Sequence, residues 1–440
     1  MELQIEKLVY GGDGLARLPA DEHGRGKAVF LPFVIPGERV DATVTQSRSG
    51  FSRAQLNKVL EASVDRVAPD CPYFGRCGGC QYQQISYEAQ LRFKAEILRE
   101  TLRRTAKLEL DREIELHHAL PWHYRNRTRM HMKHEPAFGL GYFRNNSHDL
   151  LAVESCPISS PLINQAIAAV WELGRKGSAP VALHGLQFFA NHDDSKLLVE
   201  VYVRPQTERS DAEPFARALM GLLSAIEGVA IFAVSPVDDE TRQLAPLSAI
   251  HNEEPLGISQ DSLTYHAAGH DYRVSAGSFF QTNRFLVDEL VTVATGAAKG
   301  KTALDLYAGV GLFTMALAET FDEVIAVEAS PHGSADLKHN APRNARPTRA
   351  TTEEFLEKRG AGLDAEFVLV DPPRAGLGDK ATAALCRTSA KQVTLVSCDP
   401  STLSRDLKLL LESGFKVEQA HLFDLFPQTA HMETVLHLVR

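Results

Sequence analysis

Several features are missing from this 440-residue sequence, and each absence narrows what the chain can be. It has no run of about 18 to 20 apolar residues, which argues against a membrane-spanning helix. The first residues lack the basic and apolar regions of a signal peptide, so we expect a cytoplasmic protein without a membrane partner. The net charge of −9 argues against an evenly basic nucleic-acid binder, although a local basic groove stays possible.

Cysteine is also scarce, since the chain has only 6, yet Cys71, Cys77 and Cys80 lie close together. Six thiols in a chain of this length form no disulfide framework, and clustered thiols in a reducing compartment more often bind metal or catalyse. Cys156 is the only other cysteine before the C-terminal part, and like Cys71 it precedes a proline. Four thiolates can hold zinc or a 4Fe–4S cluster. The asymmetric spacing favours iron–sulfur over the paired Cys-x-x-Cys of zinc ribbons.

Residues 1–62 have the pattern of a small β-barrel. Short alternating strands are separated by glycine and proline turns, among them GGDGLAR at 11–17 and FVIPGE at 33–38. This alternation of short strands with glycine and proline turns predicts five strands closed into a barrel. In these two elements the segment resembles the TRAM domain, an OB-like barrel, and the resemblance implies RNA binding. The alternative is an unrelated barrel, because barrels of this class serve many roles.

Residues 63–265 are expected to form a central α+β domain that carries the cysteine cluster. A long amphipathic helix is predicted over 85–107. Within 121–145, cations alternate with rings: Arg125, Arg127, Arg129, Lys133 and Arg144 with Trp122, His123, Tyr124, Tyr142 and Phe143. Such alternation predicts an RNA-contact stretch, in which cations meet phosphates and rings stack on bases. The alternative is a strand with one solvated face.

Residues 266–440 contain the strand, glycine turn and helix units of an open α/β sheet. Ligands of such sheets gather beyond the carboxyl ends of the strands. Gly309 and Gly311 follow one strand and allow the backbone to approach a nucleotide-like ligand. The next strand ends at Glu328, whose carboxylate can accept hydrogen bonds from both ribose hydroxyls. The third glycine of a dinucleotide fingerprint is missing, which favours S-adenosylmethionine over NAD.

Three further side chains with possible chemical roles follow or begin strands of this part. Asp371 opens an Asp-Pro-Pro-Arg turn that the prolines make rigid. Cys398 lies where a strand ends and a helical pattern begins, a place where chemistry is usually done; the alternative is a buried structural thiol. Glu433 begins the last apolar strand, where an isolated carboxylate is usually solvated.

The motifs of the chain are similar, in order and spacing, to those of the RNA uracil-5-methyltransferases. They are GGDGLAR, CPYFGRCGGC, FFQTN, DLYAGVGLFT, VEAS, DPPRAG, SCDPSTLSRDL and HMETV, and they cover essentially the whole chain. The resemblance implies a Rossmann-like class I methyltransferase domain at 266–440 that uses S-adenosylmethionine. The barrel and the cysteine cluster together resemble the ribosomal RNA branch, which acts on 23S rRNA, more than tRNA enzymes that lack both.

The resemblance also implies roles for individual residues. Cys398 would be the nucleophile that adds to carbon 6 of the uracil, and Glu433 would be the base. The cofactor site would be lined by Gln281, Tyr307, Glu328 and Asp371. The 4Fe–4S cluster would be held by Cys71, Cys77, Cys80 and Cys156.

Other functions stay open at this point. The chain could methylate a tRNA uridine, or an amino group of a nucleic acid, because Asp-Pro-Pro turns also occur in enzymes of that kind, which need no thiol. It could also be a non-catalytic RNA-binding protein with a structural cluster. We expect RNA, first of all ribosomal RNA, as the partner, and a monomer as the working form.

Overall fold

The computed structural model of the chain describes residues 1–19, 26–205, 207–233, 261–359 and 362–440. Its N-terminal strands are β1 (Glu2–Leu8), β2 (Gly14–Arg17), β3 (Ala28–Leu31), β4 (Arg39–Ser47) and β5 (Phe51–Glu61). They close into a barrel in the order β1-β2-β3-β5-β4, which confirms the predicted five-stranded barrel. Alternate residues of β1, such as Leu3 and Ile5, point into the barrel core, as the two-residue period of a strand requires.

One helix connects the barrel to the rest of the protein. It comprises α1 (Tyr87–Thr101) and a π-helical turn, Leu102–Ala106, which together confirm the predicted amphipathic helix. The buried face of α1, including Phe93 and Leu98, belongs to one hydrophobic core with Leu8 and Ile35 of the barrel and with residues of the C-terminal sheet. The helix is therefore packed between these two parts.

The middle of the chain is an α+β layer, as predicted. Its elements are β7 (Arg127–Lys133), β8 (Gly139–Phe143), β9 (Leu150–Ala152), α2 (Pro161–Arg175), β10 (Leu183–Ala190), β11 (Leu197–Val203), α3 (Arg209–Leu222) and β12 (Ile226–Ala233). The sheet has the order β12-β11-β10-β7-β8-β9, and α2 and α3 contribute to its core. Every residue of β11 is buried, which accounts for its apolar sequence apart from Glu200.

A hairpin of β13 (Ser262–Ala267) and β14 (His270–Ser275) follows the central sheet. Its buried rings, Tyr265 and Tyr272, share a core with Phe189 of the central sheet and with the C-terminal sheet. The predicted boundary between residues 265 and 266 falls inside β13, so we propose to place it ahead of the hairpin. Residues 234–260 of the predicted central domain lie outside the described residues.

The C-terminal part contains most of the remaining elements. They are α4 (Val287–Thr295), β15 (Gly300–Leu306), α5 (Leu312–Leu317), β16 (Phe321–Glu328), α6 (Pro331–Asn340), β17 (Ala345–Arg349), α7 (Thr352–Arg359), β18 (Phe367–Val370), α8 (Gly378–Cys386), β19 (Gln392–Ser397), α9 (Pro400–Glu412), β20 (Lys416–Phe423) and β21 (Glu433–Val439). A short strand from earlier in the chain, β6 (Glu115–His117), completes the sheet, although the sequence places it in the central domain.

The order of this sheet determines where a ligand can bind. It is β17-β16-β15-β18-β19-β21-β20-β6, and the first five strands run parallel while β21 is antiparallel to both of its neighbours. The direction of winding reverses between β15 and β18. Open α/β sheets bind ligands at such a switch point, beyond the carboxyl ends of the strands. In the described parts of the chain, none of the helices has both the length and the apolar character that a bilayer crossing needs.

Candidate active site

The turn between β19 and α9 holds Cys398. Asp399 is the N-cap of the helix, and its Oδ1 accepts hydrogen bonds from the N–H groups of Ser401 at 2.8 Å and Thr402 at 3.1 Å. Pro400 occupies the first helical position, where its missing N–H costs nothing. The local sequence therefore fixes where the helix begins, and with it the backbone that carries Cys398.

The pairing of β19 with β21 brings Glu433 level with Cys398. Ser397 lies opposite Thr434 in this antiparallel pair, and one further residue on each strand leads to Cys398 and Glu433. The Glu433 side chain is buried, with only 4% exposed. Burial, followed by repulsion from Asp371, raises the pKa of Glu433 well above its usual range. A carboxyl group with a raised pKa is a better proton acceptor once it is ionised.

The charges around Cys398 act in opposite directions. Burial raises the pKa of the Cys398 thiol to about 12, and the Glu433 carboxylate adds to the increase, whereas the Arg374 guanidinium opposes it. Arg374 is exposed in the turn after β18, and its carbonyl oxygen accepts a hydrogen bond from the Thr402 hydroxyl at 3.1 Å. Arg374 was given no role from the sequence. The signal was available, because the rigid turn that holds Asp371 also carries Arg374.

Glu328 is held by the loops that follow β15 and β16. Its Oε2 accepts a hydrogen bond from the Gly309 N–H at 2.9 Å, and its Oε1 accepts one from the Ser330 N–H at 2.6 Å. Gly309 has a φ of 56° and Gly311 a φ of 96°, in the left-handed region that favours glycine. The two glycines thus let the loop fold back on the carboxylate. Each oxygen keeps a further lone pair that can accept from a ligand hydroxyl.

A second group of acids lies on the same edge of the sheet. Asp305 on β15 is fully buried, and its Oδ2 accepts a hydrogen bond from the Thr314 hydroxyl at 2.5 Å. Burial, with a smaller contribution from Glu328, raises the pKa of Asp305 to about 7. Burial and the nearby Asp305 also raise the pKa of Asp371 to about 7. Asp305 was missed at the sequence level, because a charged residue inside a strand gives no local sign of facing a site.

The remaining predicted cofactor residues, Tyr307 and Gln281, lie in loops of the C-terminal part. Tyr307 follows β15 directly and has a φ of 63°, which is rare for a residue with a Cβ. Gln281 is 6% exposed in the loop between β14 and α4, and this loop is tied to α6 because the Ser278 hydroxyl donates to Asp336 Oδ2 at 2.6 Å. Phe279 of the same loop is 61% exposed, an unusual place for a large ring.

The barrel reaches the Cys398 turn through Tyr10. Its hydroxyl donates a hydrogen bond to Asp399 Oδ2 at 3.1 Å and lies 3.4 Å from the carbonyl oxygen of Cys398. Burial and the Asp399 carboxylate raise the pKa of Tyr10, which keeps it a donor. Gly12, two residues further on, packs so tightly that an added Cβ would lie 2.9 Å from the Gln81 side chain. The contact of Tyr10 with this turn has no signal in the sequence, since nothing close to Tyr10 in the chain indicates a partner near the C-terminus.

The four predicted cluster cysteines line one cavity. Cys71, Cys77, Cys80 and Cys156 are all free and partly exposed, and the rest of the wall combines rings and aliphatic side chains with the polar Gln83, Arg125 and Ser155. The Gly79 N–H donates to Cys77 Sγ at 3.4 Å, the kind of contact that stabilises a metal-bound thiolate. Burial raises the pKa of Cys80 to about 12, and a bound cation would reverse that effect. The set of four thiol donors fits a thiolate-bound metal centre.

The predicted RNA-contact stretch needs correction, because the sheet buries much of it. Arg127 is 8% exposed, and its guanidinium lies 4.3 Å from the ring centroid of Phe189. Arg129 lies 4.1 Å over the ring of Tyr202, and Arg125 lines the cysteine cavity. The reason is that this face of the sheet is covered: Arg127 and Arg129 lie on the opposite side of β7 from Met130 and Met132, against rings of β10 and β11, and Arg127 Nη1 donates a hydrogen bond to the Ser278 carbonyl oxygen at 2.6 Å.

The rings and the other cations of this stretch are also partly buried and partly exposed. Tyr124 is completely buried, and its hydroxyl donates to the carbonyl oxygen of Pro427 at 3.1 Å. Lys133 and Arg144 are exposed and stay available to a nucleic acid. The solvated-face alternative describes β7 only in part: Met130 and Met132 point into the core as it expects, but on the opposite face Arg127 is buried and only Lys133 is exposed.

Comparison with known proteins finds relatives over nearly the whole chain. The family model described as tRNA (Uracil-5-)-methyltransferase matches residues 86–440, and the TRAM domain matches residues 1–56. An uncharacterized RNA methyltransferase from Aquifex aeolicus is 31% identical, covering 99% of this chain and 97% of that protein. One from Thermotoga maritima is 30% identical, covering 100% of this chain and 99% of that protein. Among solved structures, Pyrococcus abyssi tRNA (uracil-54, C5)-methyltransferase in complex with S-adenosyl-L-homocysteine aligns over 100% of both chains, with a TM-score of 0.76 and 22% identity.

Proposed function

The chain belongs to the RNA uracil-5-methyltransferase family of S-adenosylmethionine-dependent enzymes, and we propose that it methylates carbon 5 of a uridine in 23S ribosomal RNA. The observation that carries the proposal is the strand register that sets Cys398 against Glu433, close to Asp371. The barrel and the cysteine cavity support the ribosomal RNA branch by resemblance. A tRNA uridine is the second candidate, because the Pyrococcus structure with the same fold carries the name of a tRNA enzyme.

Four residues would hold S-adenosylmethionine: Gln281, Tyr307, Glu328 and Asp371. The cofactor supplies a methyl group on a sulfonium centre, which is electrophilic and positively charged. Asp305 and Asp371 have raised pKa values because burial disfavours their ionised forms, and a cation close to them would lower those pKa values again. The acidic floor of the site therefore favours a cationic ligand over a neutral one of the same shape.

Cys398 would begin the reaction. Carbon 5 of uracil is a weak nucleophile until Cys398 Sγ adds to carbon 6, which converts the ring into an enolate with electron density on carbon 5. The Cys398 thiol must lose its proton for this step, and its raised pKa opposes that loss. Arg374 lowers the pKa, so a cation at this position favours the thiolate when RNA binds. The amino-group alternative leaves Cys398 without a task.

Glu433 would complete the reaction. After methyl transfer, carbon 5 carries both a methyl group and a proton. The Glu433 carboxylate would remove that proton, so that the bond between Cys398 Sγ and carbon 6 breaks. Burial gives Glu433 the raised pKa that suits this task. Asp371 would orient the cofactor or the pyrimidine edge. The base must leave any stack to reach the site.

A 4Fe–4S cluster would be held by Cys71, Cys77, Cys80 and Cys156. These thiols belong to two segments of the central region, 71–80 and the residues before α2, so the cluster would join them covalently. Its proposed role is structural, because metal binding of this kind is coupled to folding.

The experiment that tests the mechanism compares two variants on uridine-containing RNA. Cys398→Ala is expected to bind RNA but to form no covalent adduct. Glu433→Gln keeps the shape of the side chain and removes the base, so it should add and methylate, then stall before elimination. Denaturing electrophoresis with labelled cofactor would then show a methylated protein–RNA adduct that requires S-adenosylmethionine.

The matched control is Glu418→Gln, which removes an exposed carboxylate from β20 and should turn over normally. Normal turnover by Glu433→Gln would contradict the assignment of Glu433 as the base. Full activity of Cys398→Ala would support methylation of an amino group instead. Mass mapping of methylated uridines in ribosomal and transfer RNA, from cells with and without the protein, decides between the two RNA classes.

A further inference from the structure

Three potential metal ligands meet where the edge strand β6 joins β20. Glu115 and His117 are two residues apart on β6 and therefore share one face of the sheet. The parallel pairing sets His421 of β20 opposite Glu115. The ligand atoms of the three side chains all lie within 4.8 Å of one another. This group, which we call the edge histidine site, has no part in the proposed methyl transfer.

The spacing of the ligand atoms suits a single ion. His117 Nε2 lies 3.0 Å from His421 Nδ1, and His421 Nδ1 lies 3.4 Å from Glu115 Oε2. Zinc binds imidazole nitrogen and carboxylate oxygen at about 2.0–2.2 Å, so two ligands of one tetrahedral ion lie roughly 3.3–3.6 Å apart. Only a small adjustment separates the observed positions from that arrangement.

An outer partner lies behind each imidazole. Glu289 Oε1 lies 2.7 Å from His117 Nδ1, a contact in which Nδ1 donates and Nε2 is left free to bind an ion. Gln419 Oε1 lies 3.4 Å from His421 Nε2, on the far side of that ring from His117. The 3.0 Å approach of His117 Nε2 to His421 Nδ1 is satisfied either by a proton on one of the two nitrogens or by a cation that both nitrogens face. A carboxylate behind a histidine is a common way to fix the tautomer of a metal ligand.

The surroundings agree with a built site. His117 and His421 are each only 6% exposed, and the His117 ring is stacked on Phe423 with the centroids 4.1 Å apart. Glu115 has 67% of its side chain exposed, which leaves one side of the site open to a water molecule as fourth ligand.

We propose that the edge histidine site binds a divalent transition-metal ion of the zinc class through His117, His421 and Glu115, with Glu289 as the outer partner of His117. Two imidazoles with one carboxylate suit zinc better than magnesium or calcium, which prefer oxygen ligands. Only three residue pairs join β6 to β20, so a bound ion would fasten this short edge strand to the sheet. Through Glu289 it would also fasten β6 to α4.

The test uses the full chain, purified with its iron–sulfur centre and titrated anaerobically with Zn²⁺. We expect one zinc ion per chain, with X-ray absorption showing nitrogen and oxygen at about 2.0–2.1 Å and no sulfur at about 2.3 Å. This readout distinguishes the edge histidine site from zinc taken up by the cysteine cavity. Zinc with sulfur ligands only, or no zinc uptake, would overturn the proposal.

Two variants keep the proposal testable if the histidine variants fold poorly. Glu115→Gln changes an exposed side chain and should weaken Zn²⁺ binding in calorimetry at least tenfold. Glu289→Gln should weaken it about 10- to 100-fold, as loss of an outer partner usually does. The control His266→Gln, in an exposed pair with Asp271, should bind zinc normally.

His421→Gln should abolish both the binding and the rise in unfolding temperature that zinc causes in the unchanged protein. If the unchanged protein, Glu115→Gln and His421→Gln all bind zinc with equal affinity, the proposal is wrong. The two imidazoles would then be joined by a hydrogen bond and would hold no metal ion.

Discussion

At the scale of single residues, the candidate site is an arrangement of opposing charges around one thiol. Burial raises the pKa of Cys398, Glu433 and Asp371 add to the increase, and Arg374 counteracts it. A buried thiol without a neighbouring cation would be inert, and one beside a strong cation would react without RNA. The pKa of Cys398 therefore depends on the opposing charges of Glu433 and Arg374.

This balance predicts two opposite pH shifts. Glu433→Gln removes a carboxylate that raises the pKa of Cys398, so the thiolate should form at lower pH. Arg374→Gln removes a cation that lowers that pKa, so the thiolate should form at higher pH. Each shift should be on the order of one pH unit, the usual spread in folded proteins. Alkylation of the Cys398 peptide without RNA, followed by mass spectrometry across pH, measures both.

Glu418→Gln is the control for this experiment, because its carboxylate is exposed on β20 and should leave the alkylation profile unchanged. Shifts of the same sign in Glu433→Gln and Arg374→Gln would mean that these charges do not govern the thiol.

At the scale of elements, the segment before β21 is held in place by α1. Lys94 and Asp424 form a fully buried ion pair at 2.6 Å, and Lys94 Nζ also donates to the carbonyl oxygen of Phe426 at 3.1 Å. Gln90 exchanges hydrogen bonds with Gln428, which has a φ of 69°. The helix therefore sets the path of the chain into β21, and so the position of the residues that face Cys398.

We expect Lys94→Met to be strongly destabilising. It leaves the buried Asp424 carboxylate without its partner, which costs about 3–5 kcal/mol, and denaturant unfolding would measure the loss. The double variant Lys94→Met, Asp424→Leu should recover much of it, because no charge is then left buried. Arg92 of the same helix forms a more exposed ion pair with Asp65. Arg92→Met breaks this pair and should lower the free energy of unfolding by at most about 1 kcal/mol. Equal losses in the two single variants would contradict this account.

At the scale of the whole molecule, the parts share cores rather than sitting side by side. One core joins the barrel, α1 and the C-terminal sheet, and another joins the central sheet, the hairpin and α4. Contact between the barrel and the Cys398 turn through Tyr10 follows from this packing. The barrel, which matches the TRAM domain, thus touches the turn that carries Cys398.

Tyr10→Phe is predicted to separate binding from chemistry. It keeps the ring and removes one hydrogen bond to Asp399, which contributes about 1–1.5 kcal/mol, so adduct formation should slow roughly tenfold. The dissociation constant for RNA should stay unchanged, because the hydroxyl faces the protein interior. Rapid-quench kinetics and a binding titration on the same RNA measure the two quantities. A weaker RNA affinity with an unchanged adduct rate would place Tyr10 in RNA binding instead.

The cysteine cavity leads to a prediction for the central domain. Protein purified anaerobically should absorb near ~400 nm and contain about four iron atoms per chain. Cys156→Ala should lose the iron and unfold at lower temperature, since metal binding and folding are coupled. Cys386→Ala is the matched control, because this partly exposed thiol lies outside the cavity and should keep all the iron. Stoichiometric zinc without iron would refute the iron–sulfur assignment.

The sequence by itself determined the local features of this protein. Glycine and proline turns set the barrel strands, the Asp-Pro pair set the start of α9, and strand ends located Glu328, Asp371 and Cys398. These features depend on contacts within a few residues, so their periodicity and capping are visible in a single chain. The family resemblance rests on the same short motifs.

Only the tertiary structure decided which segments become neighbours and which faces are covered. Arg127 has the sequence context of an RNA contact, but its side chain is buried against Phe189. The strand β6 leaves the central region to join the C-terminal sheet. Tyr10, Asp305 and the edge histidine site became visible in the same way. Their partners are distant in sequence, and no local propensity encodes a contact that forms only when the sheets pack together.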